Sequence, residues 1–397
     1  MSADGVLVAG AGPVGLVVAV YLALHDVPVT VLEAEPALPE TLRASTFHPP
    51  TLDMLESTGV LDDFLALGLA APTVQYRERA GCIAEFDFGQ IADVTAHPYR
   101  LQCEQFKLNR LLYEKLTTLA GTEVLFSHEV TGVEETATSV TAVVARGGGA
   151  TQRYEGRFLV GADGARSNVR KALDIPFDGF TWPERFLVVS TPFPFDDHFD
   201  GLAPVSYFAD PDEWFFLLRV PGLWRAMFPT RPDESDDEVL SDASVERRLQ
   251  RVHPAEQPYA VRHRTLYPVH QRVAARYRKG RAFLAGDAAH INNPLGGMGM
   301  NGGIHDGYNL AERLVRVWRG EAPESELDGY ERQRRPIALE YANVHSTRNK
   351  LNLESRDAAR QQEFRRTMRE TAADPNRSYD YLLRISMIAS LRQAAKL

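Results

Sequence analysis

The segment GVLVAGAGPVGLVVAVYLALHDVPVTVLEAEP, beginning at Gly5, constrains the fold of this chain more than any other. Val6–Ala9 reads as a short apolar strand, and Gly10, Gly12 and Gly15 follow in G-x-G-x-x-G spacing. An apolar helix then runs to about His25, and Val29–Leu32 is a second strand. Gly10 permits the tight turn, Gly12 lets the backbone approach a pyrophosphate, and Gly15 lets helix pack on strand. Beside Ala11 the helix start offers unpaired N–H groups and the positive end of the macrodipole to that anion. Glu33, at the end of the second strand, can accept both hydroxyls of an adenosine ribose and would repel a 2′-phosphate. A glycine turn that binds nothing is the plainer reading of the triplet alone; strand, helix and acid together favour a dinucleotide. They do not choose between FAD and NAD.

Two further segments bear on that choice. GRAFLAGDAAHINNPLGGMGMNGG, Gly280–Gly303, runs from an apolar strand, Ala282–Ala285, into Gly286-Asp287, then through a glycine-rich loop into a helix near Gly299–Asn301. A carboxylate at a strand end can accept from a polyol hydroxyl, and glycines let backbone N–H groups approach a flat ring. FLVGADGARSNVRKAL, Phe158–Leu173, is a strand ending in Asp163-Gly164, with Arg166 and Arg170 following on a helical start. Asp163 can cap that turn, and the arginines would add positive charge near the phosphates.

In this order the three motifs resemble those of the FAD-dependent aromatic-ring hydroxylases, the class A flavoprotein monooxygenases with the p-hydroxybenzoate hydroxylase fold. The resemblance spans Val6 to about Tyr341. It implies FAD held by Gly10, Ala11, Gly12, Gly15, Glu33, Asp163 and Asp287, and a ring met by Gly297, Gly299, Met300 and Asn301. Two short segments fit the same pattern. Arg43 to His48 resembles the stretch where an arginine reaches the flavin, and Gln105 to Leu112 resembles a helix whose glutamine contacts the ribityl or phosphate region. The implied reaction hydroxylates a phenol or hydroxypyridine with NAD(P)H and O2 through a flavin C4a-hydroperoxide. No second G-x-G-x-x-G follows a strand, so NAD(P)H is expected to bind transiently in a groove.

The expected fold class is α/β: a Rossmann-like FAD-binding domain in segments 1–71, 98–176 and 273–341, with a mostly β substrate-binding domain. That second domain takes a β insertion, 72–97, and the strand-rich segment 177–272; a helical tail, 342–397, closes the chain. Expected elements include a helix from Gln105 to Ala120, a meander over Glu123–Ala145 and Gln152–Phe158, and a hairpin loop at Gly147–Gly149. Strands are expected over Arg185–Thr191, Val205–Phe208, Trp214–Val220 and Trp224–Pro229, and a helix over Asp242–Val252.

Composition narrows the class. A net charge of −9 gives no basic field, so nucleic acid is not an expected partner. Cys82 and Cys103, without C-x-x-C spacing, argue against a disulfide framework or a metal site and read as buried small hydrophobes. The N-terminus lacks a basic leader, and the longest apolar stretch, Val14–Leu24, is too short to span a bilayer. These features point to a cytoplasmic enzyme with no stable membrane association and leave room for a homodimer; the partners that the resemblance implies are a small aromatic substrate and O2.

The base that would activate the substrate is less defined. His48 could face the ring or serve as a core histidine. Tyr207 could hydrogen-bond a phenolic oxygen or simply pack, and Pro294 would pass close to the reacting edge. His290 would brace the Gly286-Asp287 turn; Asn292 and Asn293 could orient substrate or cap their loop. Arg219 and Arg225 could pair with a substrate carboxylate. Three other readings compete: a flavin reductase or dehydrogenase of the same fold, an NAD-dependent dehydrogenase, and a non-catalytic FAD-binding module.

Overall fold

In the computed structural model, residues 5–146, 149–210, 213–340 and 357–397 are described. Val6–Ala9, Val29–Leu32 and the helix Pro13–Leu24 between them form the nucleus of the fold. Both strands are buried and pair in parallel, in register Val6↔Val29 to Ala9↔Leu32. On the other side of Val6–Ala9 lie Phe158–Gly161 and then Ala282–Leu284, also parallel. The two glycine-acid motifs thereby end side by side with the N-terminal turn, at the carboxyl edge of one sheet, where ligands of open α/β sheets bind.

The fourth parallel neighbour is Thr122–Leu125, paired with Val29–Leu32. This corrects the expected meander: its first stretch belongs to the parallel sheet, and the antiparallel meander is His128–Glu135, Val140–Arg146 and Thr151–Gly156. Ser127, with φ at +57°, breaks the run of β-formers between the two. A window of β-favouring residues says that a strand exists and not which sheet it joins. The expected hairpin loop at Gly147–Gly149 lies partly outside the described residues.

The second large sheet has eight strands, in the order 290–291, 263–274, 177–191, 223–229, 215–220, 205–208, 73–78 and 81–87. The 72–97 insertion supplies its last two strands, and Thr73–Glu78 joins Val205–Phe208 in parallel. Its longest members exceed expectation. Phe177–Thr191 begins eight residues before Arg185, and its partner His263–Ala274 was not foreseen as a strand at all. Gly179 and Pro183 punctuate the first strand, and a register shift between Thr181 and Arg185 accommodates them. Pro268 and the charged residues of the second mask its alternation.

The described tail residues form three helices, Ala358–Ala373, Pro375–Ile385 and Ile388–Ala394. They do more than expose charged faces. Met368, Leu382, Leu383 and Ile388 are buried against Tyr76, Phe86, Tyr207, Phe216 and Leu295. The Tyr76 and Tyr381 hydroxyls lie 2.8 Å apart, and Phe86 packs on the Tyr381 ring. The tail therefore closes one face of the eight-stranded sheet. The opposite face is covered by Asp236–Leu240 and Asp242–Val252 over Leu187, Val189, Phe195, Phe208 and Trp224.

Candidate active site

A cleft of about 650 Å³ opens at the carboxyl edge of the parallel sheet. Gly10, Ala11 and Gly12 form one wall, Asp163 and Arg166 a second, and Asp287, Gly299 and Met300 a third. Glu33, Arg43 and Gln105 line its remaining end. Residues far apart in sequence meet here because three strands deliver their C-terminal turns to one place.

The geometry at the glycines is specific. Gly10 has φ +101°, and a Cβ there would lie 2.5 Å from the Ala162 carbonyl oxygen; at Gly15 it would lie 2.0 Å from the Gly10 oxygen. These two are required by the protein itself. A Cβ on Gly12 would meet nothing within 4 Å, so it would project only into the cleft. Gly12 is also the N-cap of the helix Pro13–Leu24, with no side-chain cap, so the helix start is free to hydrogen-bond an anion. Glu33 receives the Ala11 N–H at 2.6 Å and the Glu35 N–H at 2.9 Å, which fixes its carboxylate at the rim. Asp287 is open to the cleft and accepts no hydrogen bond from a described residue. The surrounding protein pushes its carboxyl upward, against the opposing pull of His290 and Arg43. A polyol hydroxyl would supply the missing donor. The donors, the open glycine and the unpaired acid fit FAD.

Some expected contacts are structural instead. Asp163 accepts from the Ser167 hydroxyl at 2.5 Å and the Val169 N–H at 3.0 Å, so it caps the helix Asn168–Ala172 while bordering the cleft. Arg170 is buried and does not reach the phosphate side. It donates to the carbonyls of Ala288 and Ala165 and lies over the Phe177 ring, tying two motifs together. Gly15 and Gly297 do not line the cleft; Gly297, at φ +67°, is the left-handed N-cap of the helix Met298–Trp318. Asn301 is fully buried, and its amide is used up. It donates to the carbonyls of Thr46 and Gly297 and accepts from the His48 N–H and the Thr51 hydroxyl. It clasps the ring-side loop and is not available to a ring. His290 braces the Gly286-Asp287 turn through Asp306, at 2.7 Å, and Arg334 holds the other Asp306 oxygen at 2.7 Å. Sequence patterning offers no signal for that triad, which spans 28 residues between Asp306 and Arg334.

The expected catalytic residues lie outside this cleft, around the Pro294–Gly297 loop. His48 is buried, with Nε2 2.9 Å from the Gly296 oxygen and Nδ1 without a partner. Burial, then the nearby Arg100 charge, holds it well below the usual histidine range. Tyr207 stacks on Tyr76 at 5.3 Å. Pro294 accepts from the Gly297 N–H at 3.0 Å, closing the turn, and Asn293 caps the same loop through the Leu295 N–H at 2.9 Å. Arg219 pairs with Asp196 at 2.5 Å and is committed there. Arg225 is not a surface residue: it is buried, paired with Glu104 at 2.5 Å, and holds Ser45 and the Arg43 carbonyl. Cys82 is exposed, against expectation; Cys103 is buried.

A family model described as an FAD binding domain matches residues 4–344. The para-nitrophenol 4-monooxygenase of Pseudomonas sp. strain WBC-3 is 34% identical over 99% of this chain and 98% of its own length. The chain belongs to the FAD-dependent aromatic-ring hydroxylases. It is an FAD-dependent monooxygenase, with no described helix long and apolar enough to cross a membrane. A second relative of the family, the 6-hydroxy-3-succinoylpyridine 3-monooxygenase HspB of Pseudomonas putida S16, is 35% identical over 88% of each chain. The crystal structure of the p-nitrophenol 4-monooxygenase PnpA from Pseudomonas putida DLL-E4 superposes with a TM-score of 0.91 at 32% identity, covering 98% of both chains.

Proposed function

We propose that this monooxygenase hydroxylates a small phenol or hydroxypyridine, taking electrons from NAD(P)H. The observation that carries the reading is the aromatic and apolar cluster in which Tyr76, Tyr207, Trp214 and Phe216 pack with Leu295 of the ring-side loop. Side chains of this kind suit a flat ring and keep water from it. Relatives named for p-nitrophenol and a hydroxypyridine support the same substrate class.

FAD bound along the cleft, with Gly10 and Gly12 at its pyrophosphate, Asp287 at its ribityl chain and Gly299, Arg43 and Gln105 toward its ring end, would supply the oxygen-activating ring. The N-terminus of Met298–Trp318 has no side-chain cap, so its first N–H groups can stabilise negative charge on the pyrimidine side of that ring. His48, donating Nε2–H to Gly296, keeps the Nδ1 lone pair free to accept a hydrogen bond from a substrate hydroxyl and orient it. Tyr207 shapes the wall and Pro294 fixes the edge of the loop. The division of the chain at residues 71, 97, 176, 272 and 341 belongs to this proposal; the six-stranded sheet draws on 1–71, 98–176 and 273–341 and the eight-stranded sheet mainly on 72–97 and 177–272, with His290–Ile291 added from 273–341.

The test is a panel of phenols, hydroxybenzoates and hydroxypyridines, scored by stimulated NADH or NADPH oxidation and by product mass. A product heavier by one oxygen atom is the expected result. Stimulated reduction or dehydrogenation without oxygen gain across the panel would move the enzyme to the reductase branch of the fold.

A further inference from the structure

On the ring side of the molecule, the Arg100 cation has no counter-charge among the described residues. Arg100 is 2% exposed, and its ion pairs with described residues number none. Among the described residues its five N–H groups find a single hydrogen bond, from Nη2 to the Ile385 carbonyl at 3.1 Å, and Nε has no partner there. The Phe88 ring, 5.2 Å from the guanidinium carbon, offers a face and no charge. A buried, unpaired guanidinium is costly, and buried charges are ordinarily paired.

Arg100 does not stand alone. Gln102 lies two residues on, on the same face of the strand Arg100–Gln102, and is fully buried. Its carbonyl oxygen takes the Thr46 hydroxyl at 2.9 Å, and its amide nitrogen has no partner. Asn293, also fully buried, has the same arrangement: Oδ1 is fixed by the Leu295 N–H, and Nδ2 has no partner. Thr46 abuts Gly297, and His48, which feels the Arg100 charge, holds Gly296. Tyr76 and Tyr381 feel that charge as well. Three buried side chains around one loop, one of them ionised, therefore keep N–H donors unsatisfied by any described residue.

We propose that Arg100, helped by the Gln102 and Asn293 amides, binds the anionic oxygen of the substrate: a phenolate, or a carboxylate carried on the ring. The inference rests on the reading above and adds a specificity determinant, a preference for ring anions over neutral rings of equal shape. The rival reading gives Arg100 only a structural task, capping the carboxyl end of the helix Pro375–Ile385 through Ile385. That reading predicts equal losses for charged and neutral ligands.

The experiment is equilibrium titration of the FAD-loaded enzyme, followed by perturbation of the flavin spectrum and so independent of turnover. The ligands are 4-nitrophenol above its pKa, benzoate, and the neutral 4-nitroanisole. The wild-type enzyme should bind the nitrophenolate at least tenfold more tightly than the anisole. Arg100→Gln should weaken nitrophenolate and benzoate by roughly 10- to 100-fold, the range of a charge-assisted hydrogen bond, and leave the anisole within about twofold. Arg100→Lys should recover part of the loss. Equal weakening of all three ligands, or no weakening, overturns the inference. Should Arg100→Gln not fold, the wild-type comparison still tests it: equal affinity for phenolate and anisole overturns it, as does a wild-type enzyme that binds neither ring anion. Failure of turnover across the phenol panel, with anion binding intact, counts against the proposed function alone.

Discussion

At the pyrophosphate end of the cleft the N–H groups of Gly10 and Ala11 are taken by Leu32 and Glu33, and the chain offers the open Gly12 and an uncapped helix start, so its recognition chemistry is the main-chain N–H groups of that helix start with side chains removed. Around the Pro294–Gly297 loop it offers Arg100, Gln102, His48 and Asn293, buried side chains whose polar atoms are only partly used. The first arrangement depends on conformation: a glycine is needed because any other residue would strike the Gly10 or Ala162 carbonyl oxygen. The second depends on identity and protonation, because desolvated side chains select their partner by charge. Cofactor and substrate are thus held by different physics, and a variant at either end should fail in a different way.

The largest contrast separates two glycines three residues apart. Gly15→Ala puts a Cβ 2.0 Å from the Gly10 oxygen, and we expect loss of the folded, yellow enzyme. Gly12→Ala meets no protein atom within 4 Å. It should leave the Tm of the FAD-stripped protein within about 3 °C, the effect of a modest change at an N-cap. Its FAD affinity should nevertheless fall by about 100-fold or more, because the Cβ enters the space of the pyrophosphate. Flavin fluorescence titration and thermal melts of both proteins read this directly. If Gly12→Ala melts far below the wild type, the wall at this end is a packing surface and the comparison breaks.

A smaller effect is expected at Asp287, the acid of the closing motif. Asp287→Ala should remove a charge-assisted hydrogen bond to the ribityl chain, about 1.5–3 kcal/mol, and weaken FAD roughly 10- to 100-fold. Because Asp287 accepts nothing from described protein groups, the stripped protein should lose no stability. Unchanged FAD affinity would remove this residue from the cofactor site.

The two ends also differ in how far the sequence discloses them. Glycine spacing records a conformational demand on neighbouring residues, so Val6–Ala9, Val29–Leu32 and Val205–Phe208 stand where patterning puts them, and Gly10, Gly12 and Asp287 line the cleft. Ring-side chemistry is assembled across long separations. Arg100 reaches Ile385, Tyr76 reaches Tyr381, and the Asn301 clasp joins Thr46 and His48 from more than 250 residues away. No local period records such meetings. The same is true of His263–Ala274, whose pairing along Phe177–Thr191 is set by the opposite strand and not by its own interrupted alternation.

The smallest effect tests whether protonation matters at one end alone. His305, on the helix Met298–Trp318, is buried and donates Nε2–H to the Thr51 hydroxyl, which in turn donates to Asn301. Burial, reinforced by Arg334 and opposed by Asp306, lowers it to about 3. The folded protein therefore keeps His305 neutral, while the unfolded chain takes up a proton below its ordinary pKa of about 6.5. This histidine's full stabilising effect is present above that value and declines as pH falls from it toward 3. At pH 5.5 the loss is about 1 kcal/mol, by linkage between the two states. His305→Gln can keep a donor to Thr51 without taking up a proton. Its Tm should fall less than that of the wild type between pH 7.5 and 5.5, by a margin of a few degrees. FAD affinity through the main-chain contacts of the helix start after Gly12 should change little over the same interval. Equal acid sensitivity of the two proteins would show that His305 does not carry the effect. A parallel collapse of FAD binding would show that the cleft is one coupled site and not two.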